Sequence, residues 1–229
     1  MRRLLAYILL FFTLSINAQF GLLVGVFEQE DNSFSFNVTV GNESVTIPTI
    51  SGYTYSGNID YGDGTKLPFS SYDDANFTHI YVSGTYNIKI TGTFEAINVN
   101  NGAFATKPVA LNQFGEVGLE YINFHGCSNI TGSMPEFPTS VISIVDNAFH
   151  SCSGFTGSLS FPSGVTSIGG FAFYNCSGFT GSLSFPSGVT SISNYAFYGC
   201  SGFNGGLSFP SGLTAIGTFA FYGCSGFNG

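Results

Sequence analysis

The chain has 229 residues, a net charge of −8 and 8% charged residues, against a usual share of about 25%. That length admits two modest domains, and five cations facing thirteen acids exclude nucleic acid as a partner, because phosphate binding needs clustered Lys and Arg. Aromatic residues make up 17% without a tryptophan.

Residues 1–18, MRRLLAYILLFFTLSINA, place Arg2 and Arg3 before an apolar run from Leu4 to Leu14 and a small residue at Ala18. This predicts a secretory signal peptide cleaved before Gln19. The run is shorter than the roughly 20 apolar residues of a membrane span. No later run is long enough, so no transmembrane segment is expected after signal removal.

Residues 19–100 predict a small antiparallel β-sandwich. Phe20 to Phe27 is apolar enough to enter a first strand, and Ser33 to Val40 alternates strictly, with Phe34, Phe36, Val38 and Val40 on one face. Ser44 to Ile50 is a second strand candidate. Further on, Asn58-Ile59-Asp60-Tyr61-Gly62-Asp63-Gly64-Thr65 is followed by His79-Ile80-Tyr81 and Gly84-Thr85-Tyr86-Asn87-Ile88. The pair resembles the hallmark of a PKD domain, with Tyr61 where tryptophan is common. The resemblance implies an Ig-like sandwich acting as a spacer or binding module. Asp60, Asp63, Asp73 and Asp74 are calcium-ligand candidates by type. The alternating acids of a calcium loop are absent, so turn roles and no metal site are expected. His79 is expected to pack at a strand start.

Residues 101–126 predict a linker and a degenerate capping repeat, with Phe124 and Cys127 aligned on Phe173 and Cys176. From 127 to 229 the chain is repetitive: Cys152, Cys176, Cys200 and Cys224 are 24 residues apart, the signature of a solenoid. The unit from Cys127 to Ser151 is divergent and keeps Glu136, Asp146 and His150, the last expected to lie on the surface. After it no ionisable carboxylate, amine or imidazole follows. Such an array has no general acid or base and no metal ligand except cysteine, so neither catalysis nor a cofactor is expected.

Within a unit, Gly154, Gly157, Pro162, Gly164 and Gly169 prohibit a helix. Leu159-Ser160-Phe161 predicts one short strand and Val165 to Ile168 another. One unit cannot bury its apolar columns alone, so stacking forms the core. Phe155, Phe161 and Phe173 then become ladders with Phe179, Phe185 and Phe197. The cysteine column predicts unpaired buried thiols, since parallel side chains fit disulfide geometry poorly.

The phrase VTSIGGFAFYNCSGFTGSLSFPSGVTSI resembles the leucine-rich repeat of the BspA type, with Ile168, Ala172, Phe173, Cys176, Phe179, Leu183, Phe185 and Pro186 on its pattern. Phenylalanine replaces the usual leucine, and one extra residue falls near Thr180-Gly181-Ser182. The fold class expected is therefore all-β, an Ig-like (PKD) sandwich followed by a leucine-rich-repeat solenoid of 24-residue units. The resemblance implies a secreted or bacterial cell-surface protein that adheres to host matrix proteins, other cells or polysaccharide. Tyr174, Tyr198 and Tyr222 form the candidate binding row, suited to hydrogen bonds and to stacking on sugar rings.

Two rival readings stay open: a spacer or self-associating stalk joined through an uncapped C-terminal end, and an accessory module of a secreted enzyme. The sequence stops six residues into a unit, which predicts a longer array. Asn37, Asn42, Asn76, Asn129 and Asn175 begin glycosylation sequons, relevant in a eukaryotic secretory pathway.

Overall fold

A computed structural model describes residues 31–100, 107 and 109–228. The predicted signal peptide and the stretch from Phe20 to Phe27 lie outside these residues. Asn32–Gly229 forms one compact unit, and among the described residues the one helix is a 3₁₀ turn, Ala75–Phe77. No helix among them is long and apolar enough to cross a membrane.

Strict alternation makes β1 (Phe34–Val40), whose Phe34, Phe36, Val38 and Val40 are all buried, as expected. The next strands are β2 (Glu43–Thr46), β3 (Tyr55–Asp60), β4 (Lys66–Phe69), β5 (Thr78–Tyr81) and β6 (Gly84–Phe94). They are followed by β7 (Ala96–Asn98), β8 (Val109–Gln113) and β9 (Tyr121–Asn123). One antiparallel sheet runs β4-β3-β6-β1-β8, and β2 pairs with β5 in a second. Between them pack Tyr55, Phe77 and Phe94, with ring centroids 5.2–6.0 Å apart in edge-to-face contact, an arrangement favoured by the ring quadrupole.

The segment read as a linker holds two structured pieces. β8 pairs antiparallel with β1, and β7 pairs in parallel with β9 at Ile97↔Ile122. Val109, at the start of β8, also bridges Ile130 in parallel. A boundary at residue 100 thus falls inside a hydrogen-bonded arrangement, because the edge of β1 needs a partner and β8 supplies it.

Beyond β9 the chain coils as expected. Ser143–Ile144, Ser167–Ile168, Ser191–Ile192 and Ala215–Ile216 form a parallel ladder in which residue i meets residue i+24. Leu183–Ser184 and Leu207–Ser208 pair likewise on another side of the coil. The phenylalanine ladders are present. Phe155, Phe179, Phe203 and Phe227 stack at 5.2–6.1 Å, and Phe149, Phe173, Phe197 and Phe221 at 5.2–5.3 Å. A third ladder, Phe34, Phe114, Phe137, Phe161, Phe185 and Phe209, starts in β1 and continues through the coils at 5.5–6.1 Å.

All five cysteines are free thiols in one column. Cys152, Cys176, Cys200 and Cys224 each donate Sγ–H to a phenylalanine carbonyl of the preceding coil, at 2.8–3.0 Å. Burial raises the thiol of Cys224 to about 11 and that of Cys127 to about 12, and holds Cys152 and Cys176 well above their ordinary value. A thiol whose pKa is raised by folding stabilises the fold fully below its unfolded value and loses that contribution as pH rises through the folded one. The melting temperature should therefore fall progressively above about pH 9. The thiols of Cys127, Cys152, Cys176 and Cys200, which are buried, should react with a thiol reagent only after denaturation, while half-buried Cys224 reacts first; fast reaction of the four buried thiols in the native protein at mildly alkaline pH would contradict the column.

Coil contact is close enough to dictate glycine at one position per unit. A Cβ on Gly202 would lie 2.2 Å from the carbonyl oxygen of Ser177, while one on Gly206 would meet nothing within 4 Å. Gly202→Ala should destabilise by about 2–3 kcal/mol through overpacking and Gly206→Ala should be near neutral, both read by urea denaturation.

Candidate functional site

The turn Phe171-Ala172-Phe173-Tyr174-Asn175-Cys176 shows how side chains are placed on the outside of the array. The N–H groups of Phe171, Phe173 and Asn175 donate across to the carbonyls of Asn194, Ala196 and Tyr198 in the next coil, at 2.7–3.1 Å. Those of Ala172, Tyr174 and Cys176 close turns within their own coil, onto Gly169, Phe171 and Phe173. Ala172, Phe173 and Cys176 are buried, and Phe171 and Tyr174 are left on the surface.

Two positions of this turn are left-handed. The second is filled by Gly126, Ser151, Asn175, Gly199 and Gly223, mostly the residue types that tolerate positive φ. The first holds Asn147 (φ 59°), then Phe171 (56°), Tyr195 (58°) and Phe219 (56°). An L-residue in this region costs about 1–2 kcal/mol, so three successive coils carry an aromatic ring where asparagine or glycine would be less strained.

The predicted residues Tyr174, Tyr198 and Tyr222 come together as one column, with centroids 4.8 and 5.0 Å apart and planes within 17°. His150 stacks on Tyr174 at 4.7 Å, and His125 meets His150 edge-on at 4.7 Å. Burial, and then the neighbouring His125, lowers the pKa of His150. Beside this column runs a second, in which Phe171 stacks on Tyr195 at 4.8 Å and Phe219 lies tilted by 34° against Tyr195 at 5.4 Å. The columns touch at 5.5–5.9 Å.

The outcome is a continuous aromatic strip, open between Tyr195, Tyr198, Phe219 and Tyr222 as a groove of about 300 Å³. Among the described residues no protein group hydrogen-bonds the hydroxyls of Tyr174, Tyr195, Tyr198 or Tyr222. Both faces of Tyr174 are covered, by His150 and Tyr198, and both faces of Tyr198 by Tyr174 and Tyr222, so within the column these rings present edges and hydroxyls rather than faces for stacking on sugar rings. Sequence reasoning missed Phe171, Tyr195 and Phe219 and set His150 aside. The available signal was an aromatic residue recurring directly before the Ala-Phe pair.

In the sandwich, the acids act as turn acceptors. Asp60 accepts from the Gly62 N–H at 3.0 Å and pairs with Lys66 at 2.9 Å. Asp63 accepts from the Thr65 N–H at 2.9 Å and from His79 Nε2 at 2.7 Å. Asp74 accepts from the N–H groups of Ser70 and Asn76. His79 stacks on Tyr61 at 4.3 Å. No cluster of three metal-ligating side chains exists among the described residues.

The pattern described as "BspA type Leucine rich repeat region" matches residues 118–228 in six copies. This array is made of BspA-type leucine-rich repeats. Among solved structures, a leucine-rich repeat protein from Bacteroides ovatus is 24% identical over 57% of this chain and 29% of its own, with a TM-score of 0.40. A leucine rich cell surface protein from Faecalibacterium prausnitzii is 26% identical over 52% and 32%, with a TM-score of 0.41. The T. pallidum Leucine Rich Repeat protein is 18% identical over 52% and 78%, with a TM-score of 0.34. The chain thus spans about a third or less of the first two. No curated protein matches it at the sequence level.

Filling a left-handed position with an aromatic ring makes a measurable demand on stability. Replacing Tyr195 by asparagine relieves the strain of about 1–2 kcal/mol and loses three ring contacts, to Phe171, Tyr198 and Phe219, of about 0.5–1.5 kcal/mol each. Tyr195→Asn should therefore destabilise by about 1–2 kcal/mol, read by urea denaturation. Phe173→Ala, which removes a buried ring of the inner ladder, should cost about 3–5 kcal/mol.

Proposed function

We propose that the chain is an exported, non-catalytic binding protein of the cell surface that takes its ligand on the aromatic strip of the BspA-type repeats. The PKD-like sandwich serves as the platform from which the array projects. The observation that carries this reading is the contrast between the two left-handed positions: one is filled cheaply, the other with exposed aromatic rings. Strain retained at an exposed site is characteristic of binding surfaces, and aromatic residues dominate binding hot spots. The paired inner columns supply rigidity, so the rings need little ordering when a ligand arrives.

The test uses the whole chain, immobilised matrix proteins (fibronectin, fibrinogen and laminin) and a glycan panel, with light scattering in parallel. Saturable binding that Tyr198→Ala weakens about tenfold or more, equivalent to about 1.4 kcal/mol, is the expected result. Absence of binding together with concentration-dependent assembly would replace this reading with that of a self-associating stalk.

A further inference from the structure

We infer that the ligand of the strip is an extended, proline-rich segment of an extracellular partner in the polyproline II conformation; this rests on the binding role proposed above. Four observations converge. Both faces of Tyr174 and Tyr198 are covered by neighbouring rings, so the strip presents ridges of ring edges, with a groove of about 300 Å³ lined by Tyr195, Tyr198, Phe219 and Tyr222. Aromatic-lined grooves of this kind accept pyrrolidine rings, and polyproline II is preformed, so little conformational entropy is lost on docking.

The hydrogen-bonding inventory matches. Tyr174, Tyr195, Tyr198 and Tyr222 carry hydroxyls without a protein partner among the described residues. A polyproline II backbone has carbonyls with no internal partner, and proline has no N–H. Donors in excess on one side meet acceptors in excess on the other.

The periods match as well. Tyrosine rings repeat every 4.8–5.0 Å along the array, so two coils advance nearly 10 Å. One polyproline II turn of three residues at 3.1 Å advances about 9 Å. Every third ligand residue therefore meets every second coil, whereas the two-residue period of a β-strand, about 7 Å, falls out of phase after one coil. Finally, no charged side chain occurs from Cys152 to Gly229. A charged peptide laid on this strip would lose hydration without finding a counter-charge, and a proline-rich one carries none to lose.

The experiment titrates the full chain against a fluorescent oligoproline of about four turns, a Gly/Ser peptide of the same length, an oligosaccharide, and the matrix proteins named above. The oligoproline should bind saturably and with little dependence on salt, and the Gly/Ser peptide should not. Tyr198→Phe, which keeps the ring and removes a donor, should weaken binding several-fold. Tyr195→Asn should weaken it at least tenfold while urea denaturation shows the protein still fully folded at the assay temperature. Failure of the oligoproline to bind, or equal binding by Tyr195→Asn, overturns the inference. If the oligosaccharide or a folded matrix protein binds in a manner sensitive to Tyr195→Asn and the oligoproline does not, the ligand class is wrong and the binding role survives. If nothing binds and the chain assembles instead, both fall.

Discussion

Everything in the array depends on one constraint, the 24-residue register in which each coil hydrogen-bonds to the next through its main chain. Fixing residue i over residue i+24 sets every column at once, buried and exposed alike. The same register that places Phe173 on Phe197 at 5.2 Å places Tyr174 on Tyr198 at 4.8 Å. A core ladder and a surface ladder are therefore one structural event, and the surface inherits the rigidity of the core. Gly178, Gly202 and Gly226 are what allow that register, since a Cβ at any of them would fall 2.1–2.2 Å from a carbonyl oxygen of the coil below.

A solenoid has two exposed ends, and its first coil must rest on something other than another coil. Here the sandwich meets that need by direct continuation. Val109 belongs to the sandwich sheet through β8 and to the coils through Ile130. Phe34, at the heart of the sandwich, stands in the same ring ladder as Phe137 and Phe161 through Phe114. Backbone pairing and ring stacking cross the junction together, which is why residues 32–229 hold as one compact unit.

Much of this was legible in the sequence, because a 24-residue repeat states its columns outright. The Ser-Ile strand of each unit, the phenylalanine ladders and the thiol column follow from period and composition, whereas the strand expected at Leu159-Ser160-Phe161 forms in that unit at Phe155–Thr156 instead, against Gly132–Ser133 of the preceding coil. The junction was not legible. Val109-Ala110-Leu111-Asn112-Gln113 alternates too weakly to announce an edge strand, and its choice of β1 as a partner is a tertiary event. The site was half legible. A row of tyrosines 24 residues apart predicted a column, but the occlusion of its ring faces needed the coil spacing to be taken literally. The neighbouring column of Phe171, Tyr195 and Phe219 was hidden for a different reason. Propensity argues against aromatic residues at left-handed positions, so local rules pointed away from the positions they occupy.

That conflict between local rule and observed residue is the most informative feature of the surface. The chain shows at Gly126, Gly199 and Gly223 that it can fill a left-handed turn with the least strained residue, and at Asn147 that asparagine serves in the aromatic column itself. Taken one coil at a time, stability would favour asparagine or glycine there, since the outer rings bury less surface than the inner ladders. Phe171, at the left-handed position with coils on both sides, is still 37% exposed, so packing returns only part of the strain. Ring stacking offsets the remainder because each outer ring has neighbours at about 5 Å on the register, and a strip of such rings is stable only collectively. An isolated aromatic residue at this position would be a local defect. Repeated coil after coil, it becomes a rigid, uncharged ridge whose hydroxyls stay available to a ligand.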